Sequence, residues 1–362
     1  MIIDLHCHYT LTAARRPDIE RFTFEPPGHA SDSYIAPRAL RRLSFRGLRR
    51  LLKIDPRLPA GDELDAALAA VYDRHLLAEG PIERFVLLAF DHYHAHDGSV
   101  PPPPRSRFAR GGDIYTSNAL VRDVCRRRPD RFLFGASVHP YRPNAAACVR
   151  EVFAAGACLL KWLPLHQNID IRDPRSVAVL RTCAELGLPV LAHYGEEFTL
   201  QTQHRGYEHV IDALDVLRAL RRERAMPPFI VAHVATPVTT FGDDASWRML
   251  CDALVGEFAD APLYADISAL GTWGKAPYLW RVVDRPEVHS KLLFGSDFPV
   301  PLADPLLRLL VGRPYRRIAE SASWPQRYAA LCRHVGYNEI VLHRAAELLP
   351  NVGYFASVSS RP

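Results

Sequence analysis

Asp4-Leu5-His6-Cys7-His8 ends a short apolar run at the start of the chain. Side chains alternate between faces along a β-strand, so His6 and His8 project to one side and Asp4 shares their parity. Two imidazoles held at fixed spacing at a strand end can take adjacent positions around one metal ion. Cys7 has the opposite parity and is expected to point into packing. A lone His-x-His is also compatible with an ordinary polar strand end, so the rest of the chain decides. His193, His233 and Asp297 each end a later apolar run, and Lys161 lies inside another. Three or four imidazoles and a carboxylate suit Zn²⁺ or a similar borderline divalent metal. A metal with an open position lowers the pKa of its bound water to about 7. A carboxylate beside that water can act as general base, and a histidine can polarise or protonate the substrate. Singly, each residue has a plainer reading. His193 or His233 could be a hydrogen-bonded core histidine, Asp297 a turn residue, and Lys161 a side chain reaching for solvent.

These residues are joined by a rhythm. Eight apolar runs occur, around residues 2–5, 85–90, 132–138, 157–163, 188–192, 229–232, 263–268 and 291–296. Runs apolar on both faces are the mark of buried parallel strands. Between them lie helical stretches, around 115–128, 144–155, 207–224, 245–259 and 277–284. A further helix opens with Asp173 as N-cap and Pro174 as first residue and stops at Gly187. Eight βα units predict an α/β fold, a (β/α)₈ TIM barrel with a long insertion after strand 1. Helices at 325–335 and 338–349 close or cap it. Residues 1–350 are expected to form one barrel, with 9–80 as the insertion and its helices, and 351–362 as a loose C-terminal tail. In such a barrel the active site lies at the C-terminal ends of the strands, where His6, His8, His193, His233 and Asp297 fall.

Composition narrows the class. The chain has 362 residues, 48% apolar and 23% charged, as an ordinary globular chain with ample core has. No stretch approaches the roughly 18 apolar residues of a membrane span. No signal peptide precedes the first run, and seven scattered cysteines form no Cys-x-x-Cys. A cytoplasmic protein without a membrane partner is therefore expected. The net charge of +5 is carried by arginine, with only Lys53, Lys161, Lys275 and Lys291 as lysines. That bias is not read as nucleic-acid binding. A small-molecule substrate is the expected partner, and a homo-oligomer is compatible with the sequence.

The chain resembles the amidohydrolase superfamily, in the amidohydrolase-related branch that includes aminocarboxymuconate-semialdehyde decarboxylase. The resemblance runs nearly end to end. It rests on Asp4-Leu5-His6-Cys7-His8, Pro129-Asp130-Arg131-Phe132, Leu160-Lys161-Trp162-Leu163-Pro164, Leu186 to His193, Val231-Ala232-His233, and Leu293 to Pro299. It implies that His6, His8, His193 and Asp297 bind one Zn²⁺-like ion. It implies His233 as a catalytic acid/base, and Asp297 as both ligand and proton acceptor. Lys161 is counted with the catalytic group. In binuclear relatives a carboxylated lysine on the matching strand bridges two metals; the mononuclear reading is preferred here. The function expected is hydrolysis of a C–N, C–O or lactone bond by metal-activated water. The alternative is decarboxylation or hydration of an unsaturated carboxylic acid on the same metal set. A cationic group in the pocket would favour that alternative. A metal-binding scaffold without activity would need a missing ligand or an occluded pocket.

Several other stretches carry expectations. Residues 36–53 predict a basic amphipathic helix with Leu40, Leu43, Leu48, Leu51 and Leu52 on one face. Residues 61–79 predict a second helix. Asp91-His92-Tyr93-His94-Ala95-His96-Asp97 is expected to be a solvated loop. Tyr194, Glu196, Glu197 and Arg205, with Trp273 and Lys275, follow strand ends and are placed to meet substrate.

Overall fold

The computed structural model describes residues 1–25, 31–197 and 199–359. Among these residues ten strands form in chain order: β1 (Ile3–His8), β2 (Ser33–Ile35), β3 (Arg84–Leu88), β4 (Ile114–Thr116), β5 (Phe132–Ala136), β6 (Leu159–Trp162), β7 (Val190–Ala192), β8 (Phe229–Val231), β9 (Leu263–Asp266) and β10 (Leu292–Leu293). Eight of them make one sheet in the order β1-β3-β5-β6-β7-β8-β9-β10. Every neighbouring pair in it is parallel. The first and last strands meet. Leu5 N–H donates to the Phe294 carbonyl at 3.2 Å, Asp297 N–H to His6 at 2.8 Å, and His8 N–H to Phe298 at 2.8 Å. The sheet thus curls back onto its own edge, as an α/β barrel does.

Two apolar layers hold this sheet. Leu5, Val86, Leu133, Leu159, Leu191, Ile230 and Leu293 fill its inner side. Cys7, Phe85, Phe134, Trp162, Val190, Phe229 and Phe294 pack outward against the helices. The helix Pro174–Leu186 starts and stops as its sequence predicts. Asp173 accepts a hydrogen bond from Arg175 N–H, and Gly187 adopts a left-handed φ of 62°.

Among the described residues, β2 and three helices lie between β1 and β3: α1 (Pro37–Leu40), α2 (Leu43–Leu51) and α3 (Asp62–Leu76). The single helix predicted over 36–53 is broken, because Arg42 is extended (φ −65°, ψ 142°). Its expected leucine face is also split. Leu52 is buried and Leu48 is half-buried, but Leu43 and Leu51 are exposed. β2 pairs antiparallel with β4, outside the barrel. That pairing delays the helix predicted from 115, which starts at Asn118 behind a Ser117 cap. Helices at Asp304–Val311 and Arg313–Ile318 were not expected from the sequence. Residues Tyr354–Ser359 form a short helix where a loose tail is predicted. Positions 360–362 of that tail, and 26–30 of the expected insertion, lie outside the described residues. No helix of the described residues is long and apolar enough to cross a membrane.

Candidate active site

The first strand departs from simple alternation, and the departure builds the site. The β1–β3 register slips by one residue between Asp4 and Cys7. Such a bulge re-aims the side chains beyond it. Ile3 and Leu5 point into the barrel. After the bulge, His6 and His8 face the pocket above it, and Cys7 packs outward. Asp4 therefore does not join the two histidines. Its Oδ1 accepts the backbone N–H groups of His6 (3.1 Å) and Ser296 (2.9 Å), pinning β1 to the last strand.

His6, His8 and Asp297 place one ligand atom each within 4.8 Å of one another. His6 Nε2 lies 3.4 Å and His8 Nε2 3.2 Å from Asp297 Oδ1. Burial alone would raise the Asp297 pKa; the facing His6, His8 and Lys161 hold it down to about 2. Burial, reinforced by Lys161, drives the His6 pKa well below its ordinary value. A neutral imidazole and an ionised carboxylate are the forms that bind a metal.

Lys161 is buried on β6, and its Nζ sits 3.1 Å from His6 Nε2. Burial lowers its pKa to about 8, against the opposing pull of Asp266, Asp297 and Glu197. The lysine therefore stays inside the pocket and does not reach out to solvent. His193 lines the same pocket. Its Nε2 turns to the Glu196 carbonyl at 3.2 Å and to Glu197 Oε2 at 3.6 Å, outside the His6–His8–Asp297 group. Burial lowers its pKa to about 4. His233 stands between, with ring centroids 4.9 Å from His193 and 5.2 Å from His6. Its Nε2 lies 3.9 Å from Asp297 Oδ2. Burial, then Lys275 and His193, drive its pKa well below the usual histidine value.

Two residues at the end of β9 were not singled out from the sequence, yet they set the orientation of both key imidazoles. Asp266 Oδ2 lies 2.8 Å from His6 Nδ1, and Ser268 Oγ lies 3.0 Å from His6 Nδ1 and 2.7 Å from His233 Nδ1. The Ser268 hydroxyl donates to Asp266 Oδ1. Asp266 and Ser268 can then only accept from the rings, so both imidazoles carry their proton on Nδ1. Their Nε2 lone pairs are left for the pocket. The rule that selects His193, His233 and Asp297 would have selected Asp266 too, because it ends an apolar run.

The backbone here is held against its preference. His233, Val234 and Ala235 have φ of 54°, 50° and 51°, and Asp297 has φ of 63°. Left-handed backbone costs a residue with a Cβ roughly 1–2 kcal/mol. Strain of this kind gathers at functional sites. Asp266 Oδ1 accepts His233 N–H at 2.9 Å, and Thr236 N–H and Oγ1 both donate to the His233 carbonyl, at 3.0 and 2.8 Å. Lys275, buried at the end of its loop, donates to Thr236 O (2.9 Å) and Oγ1 (3.1 Å).

Above this polar floor the walls are apolar. Ile35, Phe45, Leu48, Leu52, Phe90 and Leu163 line a cavity of about 1040 Å³, counting its open mouth. Of the residues expected to meet substrate, Glu197 lines this cavity. Tyr194 is buried away from it, and Trp273 is exposed. The solvated loop expected over 91–97 is instead largely buried. The Asp91 carboxylate takes two 2.6 Å bonds from Arg142, and His94 packs on His139 with centroids 4.5 Å apart. The half-buried Arg142 guanidinium takes the place of solvent there.

The amidohydrolase family model matches residues 109–314, more than half of the chain. The chain belongs to the amidohydrolase family. It is an enzyme of that family, as the strand-end motifs imply. No curated protein matches it in sequence. Among solved structures, it is similar to an uncharacterized TIM-barrel protein from Bordetella bronchiseptica, with a TM-score of 0.55, 15% identity and 99% of each chain covered. That likeness shows the fold of this amidohydrolase. It is also similar to 2,6-dihydroxybenzoate decarboxylase from Rhizobium, with a TM-score of 0.49, 14% identity, and 96% of this chain and 98% of that chain covered.

Amidohydrolases of this family bind a divalent metal, and the donor set here fits one. Two Nε2 atoms and an ionised carboxylate oxygen converge, and a carboxylate behind His6 orients it.

Proposed function

We propose that this enzyme is a metal-dependent hydrolase, cutting a C–N, C–O or lactone bond in a small molecule with an apolar body. One observation carries the reading: His6 Nε2 and His8 Nε2 converge on Asp297 Oδ1 at 3.4 and 3.2 Å. His6, His8 and Asp297 would hold one zinc-type ion; His193, on the same pocket wall, would join them only by turning its Nε2 from Glu196 and Glu197. When bound, the ion would supply Lewis acidity and an activated water. Asp297 keeps Oδ2 turned toward His233 and accepts a proton there. His233 Nε2, whose lone pair faces Asp297 Oδ2 at 3.9 Å, takes that proton over and hands it to the leaving group. The Lys161 ammonium steadies negative charge beside His6. The apolar walls exclude bulk water and grip the substrate body.

Arg49 favours a second reading, a decarboxylase or hydratase of an unsaturated carboxylic acid. Its buried guanidinium lines the cavity. Nη2 donates to the Asp55 and Leu58 carbonyls at 2.6 and 2.8 Å, while Nε has no partner among the described residues. A substrate carboxylate would supply one.

Elemental analysis of protein purified without chelator tests the metal. About one equivalent of Zn, Mn, Fe or Co, lost in His6→Ala, is expected. Two equivalents, with one lost in Lys161→Ala, would replace this reading with a lysine-bridged pair. Little metal, unchanged in His6→Ala, would sink it. The metal-loaded enzyme is then offered lactones, amides and unsaturated carboxylic acids. Release of CO₂ without hydrolysis in the panel would move the assignment to the second reading.

A further inference from the structure

The outer face of α2 contributes nothing to the wall of the main cavity, yet it exposes large apolar side chains. Leu43 is 83% exposed and Leu51 58% exposed, and neither lines the main cavity. Phe108 is 82% exposed. Its ring lies 4.8 Å under the Arg107 guanidinium. Arg41 donates to the Arg105 carbonyl and so ties the start of α2 to the Phe108 loop.

The charge around these apolar side chains is one-sided. Residues 36–54 and 98–112 together hold ten Arg and Lys residues and no Asp or Glu. Arg41, Arg46, Arg50, Arg105, Arg107 and Arg110 are exposed, and none has an ion pair among the described residues. Several arginines elsewhere on the barrel face carboxylates. Arg150 pairs with Glu185, Arg181 with Glu223, Arg218 with Glu257, and Arg221 with Asp260. The unbalanced face also borders the way into the pocket. A shallow depression lined by Arg42, Leu43 and Arg205 shares Glu197 and Leu200 with the main cavity. The inner side of the same helix supplies Phe45, Leu48 and Leu52 to the cavity wall.

We propose that this face docks on an anionic lipid surface, with Leu43, Leu51 and Phe108 entering the headgroup layer and the surrounding arginines binding lipid phosphates. Apolar anchors set among cations, on a short amphipathic helix, are the composition of interfacial attachment. A second copy of this chain would set one arginine cluster against another, which is repulsive. A soluble anion would use the arginines and leave the three apolar anchors in water. The expectation of no membrane partner came from the lack of a spanning segment; attachment at the surface needs none. The docked face would hold the pocket entrance against the lipid layer, where apolar substrates concentrate. This inference stands apart from the reaction proposed for the pocket.

Flotation of the full chain with phosphatidylcholine vesicles, with and without phosphatidylglycerol, tests it. The protein is expected to float with the anionic vesicles, to stay behind with pure phosphatidylcholine, and to be released by high salt. Arg46→Glu with Arg50→Glu, and separately Leu43→Ser with Leu51→Ser, should each lower partitioning about ten-fold or more. Phe108→Ser, in a loop, checks the result should an α2 variant fold poorly; circular dichroism melting monitors this. Failure to float on anionic vesicles overturns the proposal, as does equal binding by all variants. Stronger binding to duplex DNA than to vesicles also overturns it. So does a dimer on gel filtration that Leu43→Ser with Leu51→Ser converts to monomer.

Discussion

Asp266 Oδ2 accepts a hydrogen bond from His6 Nδ1 at 2.8 Å, joining the seventh strand of the barrel to the first. The contact fixes which ring nitrogen of His6 is free for the pocket. Asp266→Asn keeps the shape but can present an N–H where a carboxylate stood. Metal affinity should fall about 10–100-fold, as loss of such an orienting partner does elsewhere. Competition with a coloured chelator would measure it. An unchanged affinity would mean that Asp266 holds only the backbone of His233.

Acid should loosen the fold through its buried histidines, and His75 isolates the effect. It is buried, accepts the Trp324 N–H on Nδ1 at 3.1 Å, and packs between Phe298 and Trp324. Burial, with Arg74 and Arg327 adding, lowers its pKa to about 4. An unfolded histidine titrates near 6.5. The unfolded chain therefore takes up this proton first as pH falls. The stability His75 contributes is full above about 6.5 and is lost as pH falls through about 4. His75→Gln retains an acceptor for Trp324 but takes up no proton. Urea melts from pH 7 to pH 4 should show a shallower decline for the variant; parallel curves would contradict this account.

The left-handed run at His233–Ala235 predicts an unusual response to glycine. Ala235 is buried with φ of 51°. Ala235→Gly removes a methyl group, costing about 0.8 kcal/mol of burial. It also adds roughly 0.5–1 kcal/mol of unfolded-chain entropy. Against this it relieves about 1–2 kcal/mol of left-handed strain. The stability of Ala235→Gly should stay within about 0.5 kcal/mol of the parent. Ala213→Gly, buried within a helix, should lose well over that. A similar loss at both positions would show that the run carries no strain.

The barrel was legible because each buried strand is a continuous apolar run, and all but the first are entered from a helical stretch. His6, His8, His193, His233 and Asp297 were legible because they end those runs. Asp266 ends one too, but an aspartate before Ile267 and Ser268 gives no sign that its partner is a histidine 260 residues away. The bulge between Asp4 and Cys7 was invisible because period-2 alternation assumes an unbroken ladder. The His-rich stretch at 91–97 looked solvated because its cation, Arg142, lies on a different βα unit. α2 read as a single-faced helix because periodicity cannot tell an inward leucine, Leu48, from an outward one, Leu43.

The join between the first and last barrel strands has a consequence for how the protein is made. His6 and His8 leave the ribosome long before Asp297, which follows only after the intervening barrel strands. Until then the two histidines have no carboxylate opposite them, and the first strand has an open edge. Closing so long a loop is slow and entropically costly. An ion gripped by both strands would act as a rivet across that last gap, so that maturation of the fold and loading of the metal become one event.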